Sequence, residues 1–246
     1  MALSEQIGLE DIPGDQAIWR FLNRRKLSDL TSSGSLRLSR ISELRKLDQR
    51  ESCLPSVIRK VLRRLPLTDH GRAFVQAMLM ACEGQAFDTF ASCWFLPGTR
   101  KEELKMWQDF GGRNEGGIRV NSTLRRLLSS LPTDDRRSFG IGRVRYIRDE
   151  ISYPEVFALG QYRSMPFLLK LENHTNEREI RLFERFHLPQ AQWDVKQEQP
   201  PCTRFRITEI ESIAISPICS PVLAQEITGK LAQWRFPKTL IEIANG

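Results

Sequence analysis

Three short segments set a polar residue inside an otherwise core-like run: Trp19-Arg20-Phe21, Phe90-Ala91-Ser92-Cys93-Trp94 and Glu177-Arg178-Glu179-Ile180-Arg181-Leu182. In an extended chain alternate side chains share a face, so Glu177, Glu179 and Arg181 project together while Ile180 and Leu182 point the other way. Two carboxylates side by side, joined by Asp48 and Glu51 from a remote segment, could supply the oxygen ligands of a metal-dependent nuclease. Each residue also has a plain structural reading. Glu-x-Glu-x-Arg commonly forms exposed charge pairs, on a strand face or at i, i+4 on a helix. Ser92 suits a packed strand, Arg20 a cation snorkelling over apolar neighbours, and Trp94 and Trp107 a core. Cys93 then reads as an inert thiol and His174 as structural.

The elements that must position these residues follow from periodicity. Ala17-Ile-Trp-Arg-Phe-Leu reads as a strand, Lys26-Leu-Ser-Asp-Leu as a short helix stopped by Gly34, and Leu36-Arg-Leu-Ser-Arg-Ile as an alternating second strand. Apolar spacing predicts amphipathic helices over 56–65 and 70–83, parted by Pro66. The compact run Phe87–Leu96, closed by Pro97-Gly98, is the most core-like strand. Thr99 with Glu102 forms a capping box for a helix through Phe110, and Ser122 is placed to cap Leu124–Leu131. Further strands are expected at Gly117, Gly142 to Ile147, Glu179, Phe205 and Ile210 to Ile215, with a closing helix from Pro221 to Trp234. Gln190 to Pro201 reads as a polar loop. Irregular alternation of strands and helices predicts an α+β fold: one domain over 17–246 with a bent or split mixed β-sheet and surrounding helices, preceded by a flexible arm over 1–16.

Composition bounds the function classes. The chain has 246 residues, 40% of them hydrophobic, enough for a sizeable core without disulfides or metals. Lys and Arg exceed Asp and Glu by seven (37 against 30), an excess that favours phosphate-bearing partners. The clusters Arg24-Arg25-Lys26, Arg59-Lys60 with Arg63-Arg64, Arg125-Arg126 and Arg136-Arg137 read first as solvated helix faces, since charge runs on helices are usually exposed, and second as a phosphate-facing surface. Five cysteines without a Cys-x-x-Cys pair and three scattered histidines lack metal-ligand spacing. Phosphate-binding Gly-Lys-Ser/Thr loops, Gly-x-Ser-x-Gly elbows and His-Glu-x-x-His are absent from the sequence. The longest apolar stretch, Phe74 to Cys82, is too short to span a bilayer, and the N-terminus has no basic-then-apolar pattern. A cytoplasmic protein without membrane contact is the expectation.

The ordered blocks Leu36-Arg-Leu-Ser-Arg-Ile, Asp48-Gln-Arg-Glu51, Phe90-Ala-Ser-Cys-Trp, Met106-Trp107, Gly116-Gly-Ile-Arg, Gly142-Arg-Val-Arg-Tyr, Glu177-Arg-Glu-Ile-Arg181 and Ile215-Ser-Pro217 resemble a bacterial family of unknown function from about Trp19 to about Trp234. Asp48-Gln49 stands where such relatives usually show Asp-Pro. The layout is also similar to the Arg, Ser, Glu-x-Glu order of mono-ADP-ribosyltransferases, although Ser-Cys-Trp replaces Ser-Thr-Ser. That second resemblance implies an ADP-ribosyltransferase-like fold and an enzyme with NAD as substrate, acting on an unidentified macromolecular acceptor, nucleic acid among the candidates, as a toxin or defence effector. It implies that Arg20, or else Arg37 or Arg40, grips the pyrophosphate and that Ser92 holds the ribose. Glu179 would stabilise the charge that builds as the nicotinamide bond breaks, Glu177 would prepare the acceptor, and Trp94 or Trp107 would stack on a ring. The alternative from charge alone is a binding module for nucleic acid or protein. The NAD reading requires Arg20, Ser92 and Glu179 to meet at one concave site; with Glu179 on the opposite side of the sheet from Ser92, that reading fails.

Overall fold

The computed structural model describes residues 5–47, 60, 66–110, 116–131, 138–148, 167–172, 177–185, 202–204 and 209–244. Along these residues the chain runs β1 (Glu5–Ile7), β2 (Ala17–Asn23), α1 (Arg24–Ser33), β3 (Ser35–Arg37), β4 (Ser39–Arg40), α2 (Ile41–Leu47), α3 (Asp69–Asp88), β5 (Thr89–Phe95), α4 (Arg100–Phe110), β6 (Gly117–Thr123), α5 (Leu124–Ser129), β7 (Ser138–Arg143), β8 (Arg145–Ile147), β9 (Leu169–Leu171), β10 (Glu179–Arg185), β11 (Cys202–Arg204), β12 (Ser212–Ile215), α6 (Pro221–Gln233) and β13 (Ile241–Ile243). Of the expected helix over 56–65 only Lys60 is described, and it is helical; the strand at Phe205 and the loop at 190–201 lie outside the described residues.

Local chemistry sets the boundaries. The Asn23 side chain accepts from the Lys26 amide and opens α1, and Gly34, at φ 62°, closes it in the left-handed region that glycine adopts without steric cost. At α4 the capping box forms as expected: Thr99 Oγ1 accepts from the Glu102 amide while Glu102 accepts from the Thr99 amide. At α5 the cap is Thr123, not Ser122. Ser122 belongs to β6 and points inward, donating to the Glu209 carbonyl at 2.5 Å.

The fold is α+β, built on one mixed sheet. Among the described residues its strands lie in the order β1-β7-β10-β5-β2-β6-β12-β13, with β4 also paired to β5. The N-terminal arm contributes to it, since β1 pairs in parallel with β7. The strand expected to run unbroken from Gly142 to Ile147 is interrupted at Val144, whose amide turns to the Glu179 carbonyl. β8 then leaves to pair with β9 in a separate ribbon. Leu38 likewise breaks the expected Leu36–Ile41 strand into β3, which pairs with β11, and β4.

Register sorts the side chains into two faces, because residues directly opposite in an antiparallel pair point the same way. One face carries Ile18, Leu22, Trp94, Ile118, Val120, Ile180, Leu182, Ile213 and Ile215, and buries them with Leu27 and Leu30 of α1, Leu124 and Leu127 of α5, and Ile227 and Leu231 of α6. The other carries Phe21, Phe95 and Ala214 under Met106 and Trp107 of α4. Phe183 lies on that second face across β7, where a Cβ on Gly140 would come within 2.3 Å of its ring. Gly140→Ala should therefore overpack this contact and lower the unfolding free energy by about 1–3 kcal/mol, read from the urea midpoint.

β2 and β5 share a single paired position, Trp19 with Phe95, after which β4 takes the place beside β5 at Ala91 and Phe90. The sheet is split there. The gap between the end of β2, the first turns of α1 and the β3–β4 segment forms a cavity of about 220 Å³.

Candidate functional site

Arg20 lies at that split. Its position on β2 places it with Trp94, over whose ring its guanidinium carbon sits at 5.9 Å, so it points to the α1 face of the sheet. Nη2 donates to the Arg37 carbonyl at 3.0 Å, whereas Nη1 is buried without an acceptor. Burial pushes the guanidinium down to about 10, only partly opposed by Cys93. A desolvated cation with a spare donor is an unusual element of a protein interior. The cavity beside it is lined by Asn23, Arg25, Lys26, Ser35, Arg37 and Ser39, with Asp29 and Glu43 as its acids. Four cations against two carboxylates leave a formal excess of two positive charges. Desolvation and then the charges of Arg20 and Arg37 lower the Lys26 ammonium, although that residue is exposed as a whole.

Glu179 stands on the other face. Its partner across the β10–β5 pair is Phe95, Arg181 faces Cys93, and Ser92 faces Leu182. The Glu179 carboxylate is completely buried. Arg181 Nε and Nη2 reach its Oε1 at 2.9 and 2.8 Å, and Lys170 Nζ lies 2.8 Å from its Oε2. Lys170 also donates to Glu177 at 2.7 Å, and Arg181 Nη1 to the Phe167 carbonyl at 2.6 Å. Burial would raise the Glu179 carboxyl, but the charges of Arg181 and Lys170, with hydrogen bonds from Cys93 and Lys170, outweigh it and hold the group at about 2. It is a fixed anion locked between two cations.

The strands bearing Arg20, Ser92 and Glu179 are thus neighbours in the sheet, and Arg20, Ser92 and Trp94 share a face. Glu179 does not join them. The expected convergence of Arg20, Ser92 and Glu179 is corrected by the register: Ser92 and Glu179 sit an odd number of rungs apart on paired strands, which sends their side chains to opposite sides. Glu177 precedes β10, and Arg178, at φ 43°, turns the chain between them so that both carboxylates meet Lys170. Trp107 is buried on the α4 side, edge-on to Phe21 at 4.8 Å, away from Arg20, and Trp94 is fully buried under it. Of the arginine alternatives, Arg37 offers its carbonyl to Arg20 and lines the cavity, while Arg40 stacks over Phe90 at 5.2 Å.

Lys170 and Glu184 were not singled out from sequence. Lys170 sits in a Leu-Leu-Lys-Leu run with no local signal of its partners. Glu184 was legible from parity alone: it is the carboxylate that β10 turns to the Ser92 face, fully buried opposite Phe90. Of the nuclease ligand set, Asp48 and Glu51 lie outside the described residues, and Glu177 and Glu179 are both engaged by Lys170. Among the described residues no group of three His, Cys, Asp or Glu could hold a metal ion, and no helix is long and apolar enough to cross a membrane.

No family model matches the chain, and comparison with curated proteins finds no match either. Among solved structures the chain is similar to that of Thermus sp. 2.9 DarT in complex with ADP-ribosylated ssDNA, at 13% identity and a TM-score of 0.40, over 94% of this chain and 95% of that one. A likeness of that degree assigns no activity.

Proposed function

We propose that this chain binds a nucleotide diphosphate such as NAD, holding the diphosphate in the cavity at Arg20, and not that it cleaves NAD through the Arg20, Ser92 and Glu179 site, which the register rules out. One observation carries the binding step: a buried guanidinium whose Nη1 has no protein acceptor, at the wall of a cavity with two uncompensated positive charges. Such a group costs stability where it stands and is satisfied by an anionic oxygen, and the planar fork of arginine suits a phosphate. Ser92, on the same face, remains the candidate to meet a ribose. Glu179 and Glu177 are not carried forward as catalytic residues, because their carboxylates face away from that cavity. The basic balance of the chain also suits a nucleic-acid partner.

A titration tests the binding step. NAD and ADP-ribose should raise the melting temperature, by about 2.7 kcal/mol of stabilisation at a hundredfold excess over Kd, or roughly 5–10 °C for a domain of this size, whereas nicotinamide alone should not. Arg20→Met should lose the increment. Its ligand-free melting temperature should hold or rise, since replacing a desolvated cation by an apolar side chain of similar length removes a burial penalty. No shift at millimolar NAD, or a full shift in Arg20→Met, excludes the reading.

A further inference from the structure

We propose that the first turn of α1 seats a terminal phosphate beside the one held at Arg20, with Lys26 as its cation, so that the cavity prefers nucleotides ending in a free diphosphate to diphosphates esterified at both ends. The inference rests on the reading of the Arg20 cavity given above and narrows its ligand class. α1 begins at this cavity: its N-cap Asn23 and its residues Arg25 and Lys26 line the wall together with Arg20 and Arg37. The N-terminal end of a helix carries about half a positive charge, which an acidic side chain or a bound anion stabilises. Here the first turn reads Arg24-Arg25-Lys26 and holds no acid. The Asn23 side chain accepts from one of its amides, that of Lys26, at 3.0 Å.

Two features beyond the helix end point to a ligand. Arg20, a residue 6% exposed, lines the same cavity with its Nη1 unpartnered. The Lys26 ammonium is lowered by desolvation and then by the charges of Arg20 and Arg37, so three cations crowd one space. Among the described residues neither Arg25 nor Lys26 makes an ion pair, and Asp29 meets Arg37 no closer than 4.0 Å. Charge and size then choose between the two kinds of diphosphate. One esterified at both ends carries two negative charges, and a terminal phosphate adds close to one more at neutral pH, which the helix end accommodates. The cavity holds about 220 Å³, below the roughly 300–1,000 Å³ of pockets that enclose a drug-sized ligand, so it has room for the phosphates and little more. A doubly esterified diphosphate must leave such a space on both sides, whereas a terminal one needs a single exit.

Calorimetric titration of the full chain with ADP and ADP-ribose isolates this seat, because the two share an adenosine diphosphate and differ in the second ester. ADP should bind about tenfold or more tighter, with NAD behaving like ADP-ribose. Lys26→Met should bring the ADP to ADP-ribose ratio within about threefold by weakening ADP most, and Lys26→Arg, which keeps the charge, should preserve it. Lys26 is exposed and its amide still meets Asn23 in either variant, so both should fold. Arg20→Met should weaken both ligands together. Equal affinity of the wild type for ADP and ADP-ribose, or an ADP preference unchanged in Lys26→Met, overturns the terminal seat. Failure of the wild-type chain to bind either ligand instead overturns the Arg20 reading beneath it.

Discussion

Replacing Glu179 by glutamine should lower the unfolding free energy by about 3–5 kcal/mol at neutral pH, the usual consequence of removing one member of a buried ion pair and leaving its partners. Lys170 and Arg181 both converge on this carboxylate, and neither can turn to water, since they are 3% and 0% exposed. Glu177 also meets Lys170, at 2.7 Å. The pH dependence carries the same information. The folded-state pKa of Glu179 is depressed to about 2 from an ordinary value of 4.5, so its contribution is complete above 4.5 and is lost as pH falls from there toward 2. A gap of that size corresponds to about 3 kcal/mol. Urea midpoints measured between neutral pH and pH 2 should therefore fall more steeply for the wild type than for the glutamine variant, and the two should approach each other in acid. A variant with wild-type stability and no NAD turnover would return Glu179 to catalysis and remove the structural role.

The same strand shows what could be read from the sequence and what could not. Alternation correctly separated Glu179 and Arg181 from Ile180 and Leu182, because the period of a strand is independent of its surroundings. The side of the sheet that meets Ser92 was another matter. It depends on β10–β5 register, and a shift of one residue would have placed Glu179 and Ser92 together. Local signals did well where the determinant is local: the Thr99–Glu102 box, the Gly34 stop and Pro221 at the start of α6 each rest on contacts within one turn of chain. They failed where a distant partner decides. Ser122 and Thr123 are both competent caps, and only the Glu209 carbonyl commits Ser122 to the strand. β1 has no pattern of its own and is a strand because β7 offers an edge. The cavity is similarly long-range, since it exists where β4 displaces β2 from β5.

Trp107→Ala should cost about 3–5 kcal/mol of stability while leaving the NAD-induced rise in melting temperature intact. The indole is 1% exposed, edge-on to Phe21, and fills the layer between α4 and the sheet together with Met106 and Phe95. Beside it Arg119 lies flat over Trp19 at 4.1 Å and 6.0 Å from the Trp107 ring, and pairs with Glu103 one turn earlier on α4. Truncation would empty this layer and loosen the helix from the sheet, on the face away from Arg20. Phenylalanine makes the test sharper. Trp107 Nε1 is buried without an acceptor, so Trp107→Phe removes an unsatisfied donor along with part of the ring, and the two effects offset. Its cost should be well below that of alanine, about 1 kcal/mol. Denaturant midpoints for the two variants, with NAD titrations on each, read both quantities. If instead the alanine variant kept its midpoint and lost the NAD increment, the indole would belong to a ligand site, and the assignment of the α1 face as the binding face would have to be abandoned.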